Sequence, residues 1–218
     1  MIAAPAPAPA ARNRLAVLAP VMARRLALAA LYLAALALGA GSAAWTLLRV
    51  SAFGEASGAW RASTLTGSPD ADLYTRARVA LGGLLALSRE ETLYYVAATD
   101  SAGAPLRSRC AYRVSGTPPP ARWWSITAYA DDMFLFANDE RRYSLSGARA
   151  VLDAHGRFAL VTGPMRPPAA DEGGAPAWLP TPGERGLRLT LRLYNPDAAL
   201  ARTPQALVAP RIEAIGTC

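Results

Sequence analysis

Residues 122–129 read RWWSITAY: Arg122-Trp123-Trp124-Ser125-Ile126-Thr127-Ala128-Tyr129. Side chains on a strand alternate between its two faces. Trp124, Ile126 and Ala128 therefore fall on one side, and Trp123, Ser125, Thr127 and Tyr129 on the other. One side is apolar and the other mixed, the pattern of a strand with one face in a core. The period of two recurs around it. Residues 92–99 (TLYYVAAT) predict a strand, Asp100-Ser101-Ala102-Gly103 a turn, and residues 106–115 a returning strand. Residues 134–137 and 143–146 predict shorter strands on either side of 138–142. Residues 150–152, the turn Asp153-Ala154-His155-Gly156 and residues 158–162 predict a second hairpin. Leu187, Leu189, Leu191 and Leu193 mark a strand over 187–194. Thr117-Pro118-Pro119-Pro120 and the irregular stretch 163–174 are breakers. Short strands separated by turn signals predict a mainly β domain, an antiparallel sandwich or barrel.

A short helix is expected ahead of the strands, over residues 68–81. Ser68 would be its N-cap and Pro69 its first helical residue, with Asp70 and Asp72 complementing the dipole. Gly82-Gly83 would end it. Residues 49–67, rich in Ser, Gly, Ala and Thr, read as a linker. The exported domain would occupy residues 68–218.

The chain has 218 residues, 52% hydrophobic and 18% charged, which is too apolar for a disordered polymer. Two Cys and one His exclude a zinc-finger scaffold. The net charge of +7 is unevenly placed. Arg12, Arg14, Arg24, Arg25 and Arg49 lie in the first fifty residues, which hold no acid. The remainder is nearly neutral, its arginines interleaved with all 16 acids, so no nucleic-acid partner is expected.

Residues 26–48 contain no charged side chain. As a helix at ~1.5 Å per residue they would cross the ~30 Å hydrocarbon core of a membrane. Residues 1–25 would form a cytoplasmic tail. Most of the flanking arginines precede the span, which orients it with the C-terminal body outside. The expected location is a bacterial inner membrane, single pass, with the body periplasmic and the lipid bilayer as partner through residues 26–48. A cleaved signal peptide is the rival reading, with a small-residue site ending at Ala44. Both readings export the body. In an oxidising compartment Cys110 and Cys218 are expected to pair.

The order of these segments resembles a bacterial family catalogued as domain of unknown function 1214. The likeness is carried by Tyr94-Tyr95 with Asp100, Gly103, Pro105 and Leu106, then by residues 120–127 (PARWWSIT). Asn138 with Arg142-Tyr143-Ser144, the turn at 153–156, residues 178–182 (WLPTP) and residues 191–196 (LRLYNP) follow in order. The likeness covers about residues 91–215. It implies a jelly-roll-like β-sandwich and no established reaction. Larger relatives carry a second domain in front, where this chain has an apolar segment and a short helix. Ala177 stands where the family pattern leads one to expect Asn, which puts a polar role there in doubt.

Four residues are candidates for ligand binding: Arg122, Trp124, Asn138 and Arg142. An exposed Trp can stack on a ring and an Arg can hold an anion; the alternative is that both tryptophans of the pair serve packing. Asn138-Asp139-Glu140-Arg141-Arg142 could perform acid–base chemistry or be a solvated turn whose charges compensate one another. His155 falls at a hairpin tip, where a general base lacks a partner. No phosphate loop, nucleophile elbow or calcium loop is present, and no metal or cofactor is expected. Two functions fit. One is a membrane-anchored envelope accessory module binding a small molecule or an envelope protein. The other is an enzyme acting on a small envelope or imported substrate in a sheet-face pocket lined by Arg122, Trp124 and Arg142.

Overall fold

A computed structural model describes residues 14–49, 54–63, 65–81, 86–168, 177–216 and 218. The chain divides into two compact units, residues 1–50 and 51–218. The first contains one long helix, α1 (Arg14–Arg49). It is longer than the expected span of 26–48 at both ends. Within it Pro20–Leu47 has a hydropathy of 1.9, and its most apolar stretch is wholly unburied. Ala and Leu, the strongest helix formers, dominate that stretch.

The second unit is mainly β. Its strands are β1 (Glu55–Ser57), β2 (Trp60–Ala62), β3 (Thr92–Ala97), β4 (Ala111–Gly116) and β5 (Ala121–Ala130). They continue with β6 (Ser144–Ser146), β7 (Phe158–Gly163), β8 (Ala177–Pro180), β9 (Leu187–Pro196) and β10 (Arg211–Ile215). Helix α2 (Leu73–Leu81) precedes β3, and α3 (Ala198–Arg202) follows β9. A six-stranded sheet runs β1-β2-β3-β9-β5-β6, and a four-stranded sheet runs β10-β4-β7-β8.

The two sheets enclose one core. Leu187, Leu189, Leu191 and Leu193 of β9 are all buried, as are Trp124 and Ile126 of β5 and Leu93 and Tyr95 of β3. Tyr112, Val114, Phe158, Leu160 and Ile212 meet them from the smaller sheet. Burying each leucine contributes about 1.5–3 kcal/mol, so a one-residue slip of β9 would expose all four and bury its polar face. β9 pairs along most of its length with both β3 and β5, which places it in the middle of the larger sheet.

Several expectations change. β7 and β8 pair in parallel, whereas the other named strand pairs are antiparallel as expected. A tight turn cannot connect parallel neighbours, and 13 residues of sequence separate the end of β7 from the start of β8. Residues 134–137 and 150–152 are not strands; each contributes one isolated bridge, Tyr129 with Leu135 and Leu152 with Phe158. A turn of 3-10 helix, Gly147–Arg149, stands just before the second of these.

The expected helix start also moves. The Asp72 carboxylate accepts hydrogen bonds from the amides of Tyr74 (2.8 Å) and Thr75 (3.0 Å) and from the Thr75 hydroxyl (2.7 Å). Asp72 is therefore the N-cap of α2, and Ser68 instead caps a preceding turn through the Asp70 amide (3.1 Å). Both residue types cap well, and Asp72 is the one whose side chain reaches the free amides of the first turn of α2. Gly82-Gly83 lies outside the described residues. Residues 55–62, inside the stretch read as linker, add two strands to the larger sheet. Trp60 is fully buried there, and its indole N–H donates to the Pro210 carbonyl at 2.7 Å.

Cys110 and Cys218 lie at disulfide distance, with Cα atoms 4.8 Å apart across 108 residues of sequence. The pairing ties the chain terminus to the segment leading into β4.

Candidate functional site

The two sheets meet at one edge, where β6 ends the larger sheet and β8 ends the smaller. A cleft opens beside this edge. One part, about 720 Å³, is lined by Asn138, Glu140, Arg141, Tyr143, Trp178 and neighbouring residues, including Pro164, Pro180 and Pro182. A second part, about 360 Å³, shares Arg141, Tyr143 and Trp178 and adds Arg142 and Arg149.

The loop on one side of the cleft is organised by Asn138. Its side-chain oxygen accepts the Arg142 amide (3.0 Å), and its side-chain nitrogen donates to the carbonyls of Arg142 (3.1 Å) and Phe136 (2.9 Å). The Arg141 amide donates to the Asn138 carbonyl at 3.1 Å, and Arg141 takes a left-handed backbone at φ 50°. An amide with both donor and acceptor ends suits this closure. Asn138 thus shapes the loop and spends its polar groups on it. The run 138–142 is the charge-compensated turn among the two readings. Glu140 bonds Arg166 at 2.8 Å and lies 3.7 Å from Arg142, all three being partly exposed.

The other side is Trp178. Its indole N–H donates to the Gly163 carbonyl (3.1 Å), which holds the ring at the edge of the smaller sheet. The Arg166 guanidinium lies 5.2 Å from the ring centroid. Arg166 is therefore shared between the Glu140 carboxylate and the Trp178 π face, a bond and a cation–π contact that both persist in water only weakly. A ligand ring could displace Arg166 from Trp178 at modest cost.

Of the four expected ligand residues, Asn138 and Arg142 lie at this cleft; Arg122 and Trp124 do not line it. Trp124 is only 4% exposed, and its ring packs on Phe158 at 4.6 Å. It shares its face with Ile126 and Ala128, and that face is the core. Trp123 is the exposed member of the pair, at 40%, and meets Tyr194 edge-on at 4.9 Å. Arg122 is exposed near the start of β5. The pocket of Arg122, Trp124 and Arg142 is thus not assembled. Arg149, Arg166 and Trp178 were the residues missed. Of these only Trp178 carried a signal, inside the WLPTP block.

Asp153 accepts the amides of His155 and Arg157, both at 2.9 Å, which makes His155 part of a tight turn. Among the described residues no group of three or more His, Cys, Asp or Glu is placed to hold a metal ion.

Residues 91–198 match the family described as "Protein of unknown function (DUF1214)". Just under half of the chain is thus similar to the DUF1214 family. The match ends before β10, short of the residue 215 expected from sequence. The DUF1214 segment holds β3 to β9 and so includes both walls of the cleft. Among solved structures, the chain is similar to the VPA0106 protein from Vibrio parahaemolyticus, at 24% identity and a TM-score of 0.51, over 67% of this chain and 36% of that one. An uncharacterised protein from Burkholderia cenocepacia aligns at 19% identity and a TM-score of 0.40, over 57% of this chain and 29% of that one. The chain thus spans about a third of the length of these structures. The first likeness concerns the fold alone. No curated protein matches the chain.

Proposed function

We propose that this protein is a single-pass inner-membrane protein whose DUF1214 domain, a jelly-roll-like sandwich, projects into the periplasm and binds a polar ligand at the β6/β8 cleft. It acts as an envelope accessory module. The single observation that carries the binding role is the Trp178 ring beside a loop rich in arginine, with Arg166 held only by displaceable contacts. Aromatic faces edged by charged and amide groups suit ring ligands that carry hydroxyls or negative charge. The jelly-roll assignment is supported by successive strands that alternate between the sheets, β3 to β4, β4 to β5, β6 to β7 and β8 to β9.

The anchor reading is supported by the unburied apolar run within Pro20–Leu47 and by the four arginines that precede residue 26. An oxidising location is supported by the Cys110–Cys218 pair. Anchoring is tested by alkaline extraction of membranes with intact-mass measurement. A full-length chain retained in the pellet supports it, and a soluble chain beginning at Trp45 refutes it. External protease should digest the C-terminal unit in spheroplasts and spare it in intact cells. Ligand binding is tested by thermal shift of the full chain in detergent against sugars, nucleotides and small acids. A shift lost in folded Trp178→Ala supports the cleft. A shift that persists in Trp178→Ala and in Arg166→Gln removes it from the proposal.

A further inference from the structure

The face of the larger sheet turned away from the core carries a second arrangement. Its strand positions include Arg61, Arg188 and Arg192 and no carboxylate. The near-neutral balance of the body is therefore not repeated on this face.

Arg192 stands at its middle, on the central strand β9, between Tyr94 of β3 and Ser125 of β5. It forms no ion pair with any described carboxylate. Its guanidinium donates instead to the Thr127 hydroxyl (3.2 Å) and the Tyr129 hydroxyl (3.0 Å). It lies 5.5 Å from the Tyr129 ring centroid and 6.0 Å from that of Tyr94. Tyr94 is itself fixed, buried and accepting the Leu87 amide at 3.2 Å. Two neutral hydroxyls and two ring faces orient the charge without neutralising it. Only two of the five N–H groups of an Arg fork are used in this way.

The surroundings are polar and short of partners. Thr92 and Thr190 share this face, are almost fully buried, and have hydroxyls with no hydrogen-bond partner among the described residues. Trp123, the exposed partner of Tyr194, is the diagonal neighbour of Arg192 across the β5/β9 pair, about 7–8 Å away. An oriented cation, spare hydroxyls and an open indole are thus brought together by one sheet face.

We propose that this face is a binding site for a small anion borne on a flat ring. The carboxylate or phosphate monoester would be held by the open side of the Arg192 fork, and the ring would lie against Trp123. An Arg fork matches either oxyanion bidentately, so carboxylate and phosphate share the chemistry. The site is separate from the β6/β8 cleft, which Arg192 does not line.

Calorimetric titration of the full chain in detergent with benzoate, phenyl phosphate and the neutral benzamide tests this. Benzoate or phenyl phosphate should bind saturably with a Kd of about 1 mM or tighter, and benzamide at least 10-fold more weakly. The preferred anion identifies the source class. Arg192→Gln should weaken binding about 10-fold or more, and Arg192→Lys, which keeps the charge but not the fork, should fall between. Trp123→Ala, at an exposed position, should weaken the ring ligands while leaving the melting temperature within a few degrees. Arg211→Gln on the other sheet should change nothing. Equal affinity in Arg192→Gln, equal binding of benzamide, or no binding of either anion would overturn the proposal. If Arg192→Gln fails to fold, the Trp123→Ala and Arg192→Lys titrations decide it alone.

Discussion

Adding one methyl group at Gly147 should destabilise the domain through Trp124. A Cβ there would stand 2.7 Å from the Trp124 Nε1 and 3.1 Å from both Cδ1 and Cε2. These are atoms of a rigid ring that is 4% exposed and packed on Phe158, so the ring cannot swing away as a flexible chain end would. Gly147 is not among the glycines with positive φ, so alanine meets no backbone strain. Replacing glycine would then favour the folded state by about 0.4–1 kcal/mol through the unfolded chain. Overpacking costs about 1–3 kcal/mol and outweighs that gain. The net loss for Gly147→Ala is about 0.5–2 kcal/mol, a fall in Tm of roughly 2–6 °C for a unit of this size. The assay is a thermal melt of the full oxidised chain in detergent, followed by near-UV circular dichroism. The smaller ring of Trp124→Phe should absorb the methyl, so the penalty should shrink in the double variant. A Gly147→Ala protein that melts at or above the wild type, or loses as much in the Trp124→Phe background, would refute the packing argument.

Reducing the Cys110–Cys218 pair, or Cys218→Ser, should destabilise the domain by about 2–4 kcal/mol, because the pair closes a loop of more than a hundred residues in the unfolded chain; denaturation with and without reductant measures it. Trp60→Phe keeps an aromatic ring but leaves the buried Pro210 carbonyl without its donor and part of a fully buried site unfilled, a cost of at least about 1–3 kcal/mol by the same assay. Acid should destabilise the fold through its turns. The Thr75 hydroxyl and amide hold Asp72 below its usual range, the Phe134 amide with Arg185 does so for Asp132, and the Arg157 amide with that of His155 does so for Asp153. Carboxylates depressed in the folded state stabilise it fully above the unfolded value of about 4 and lose that contribution as pH falls through their folded values. Tm should therefore be flat from about pH 7 to 5 and decline below about 4, and Asp72→Asn should show a smaller decline; an unchanged acid profile in that variant would count against the cap.

Local rules make much of this protein legible in its sequence. Period-two alternation located β3, β5, β7 and β9, and it put Trp124 on the same face as Ile126 and Ala128; of the strand expected over 106–115 only the second half forms, as β4, and it lies in the other sheet rather than returning beside β3. The apolar composition of residues 26–48 announced a long helix, since Ala and Leu form helices wherever nothing opposes them. What escaped depended on distant partners. Trp60 lies in a stretch whose composition reads as linker, and its burial exists because β3 and Pro210 come to meet it. β10 has only Ile212 as a buried residue, so its strand character comes from pairing with β4.

The same division holds for the sites. Sequence alone could establish that residues 122–129 form a strand with one core face, because alternation is a property of the local backbone. It could also separate the basic N-terminal segment from a neutral body. Which tryptophan of the pair meets solvent was settled by the second sheet, which lies over Trp124 and leaves Trp123 open. The cleft joins residue 138 to residue 178, and the Arg192 face joins strands from Tyr94 to Tyr129. No spacing along the chain encodes such neighbours. They arise from strand order, which is fixed by long-range pairing and burial rather than by any local preference.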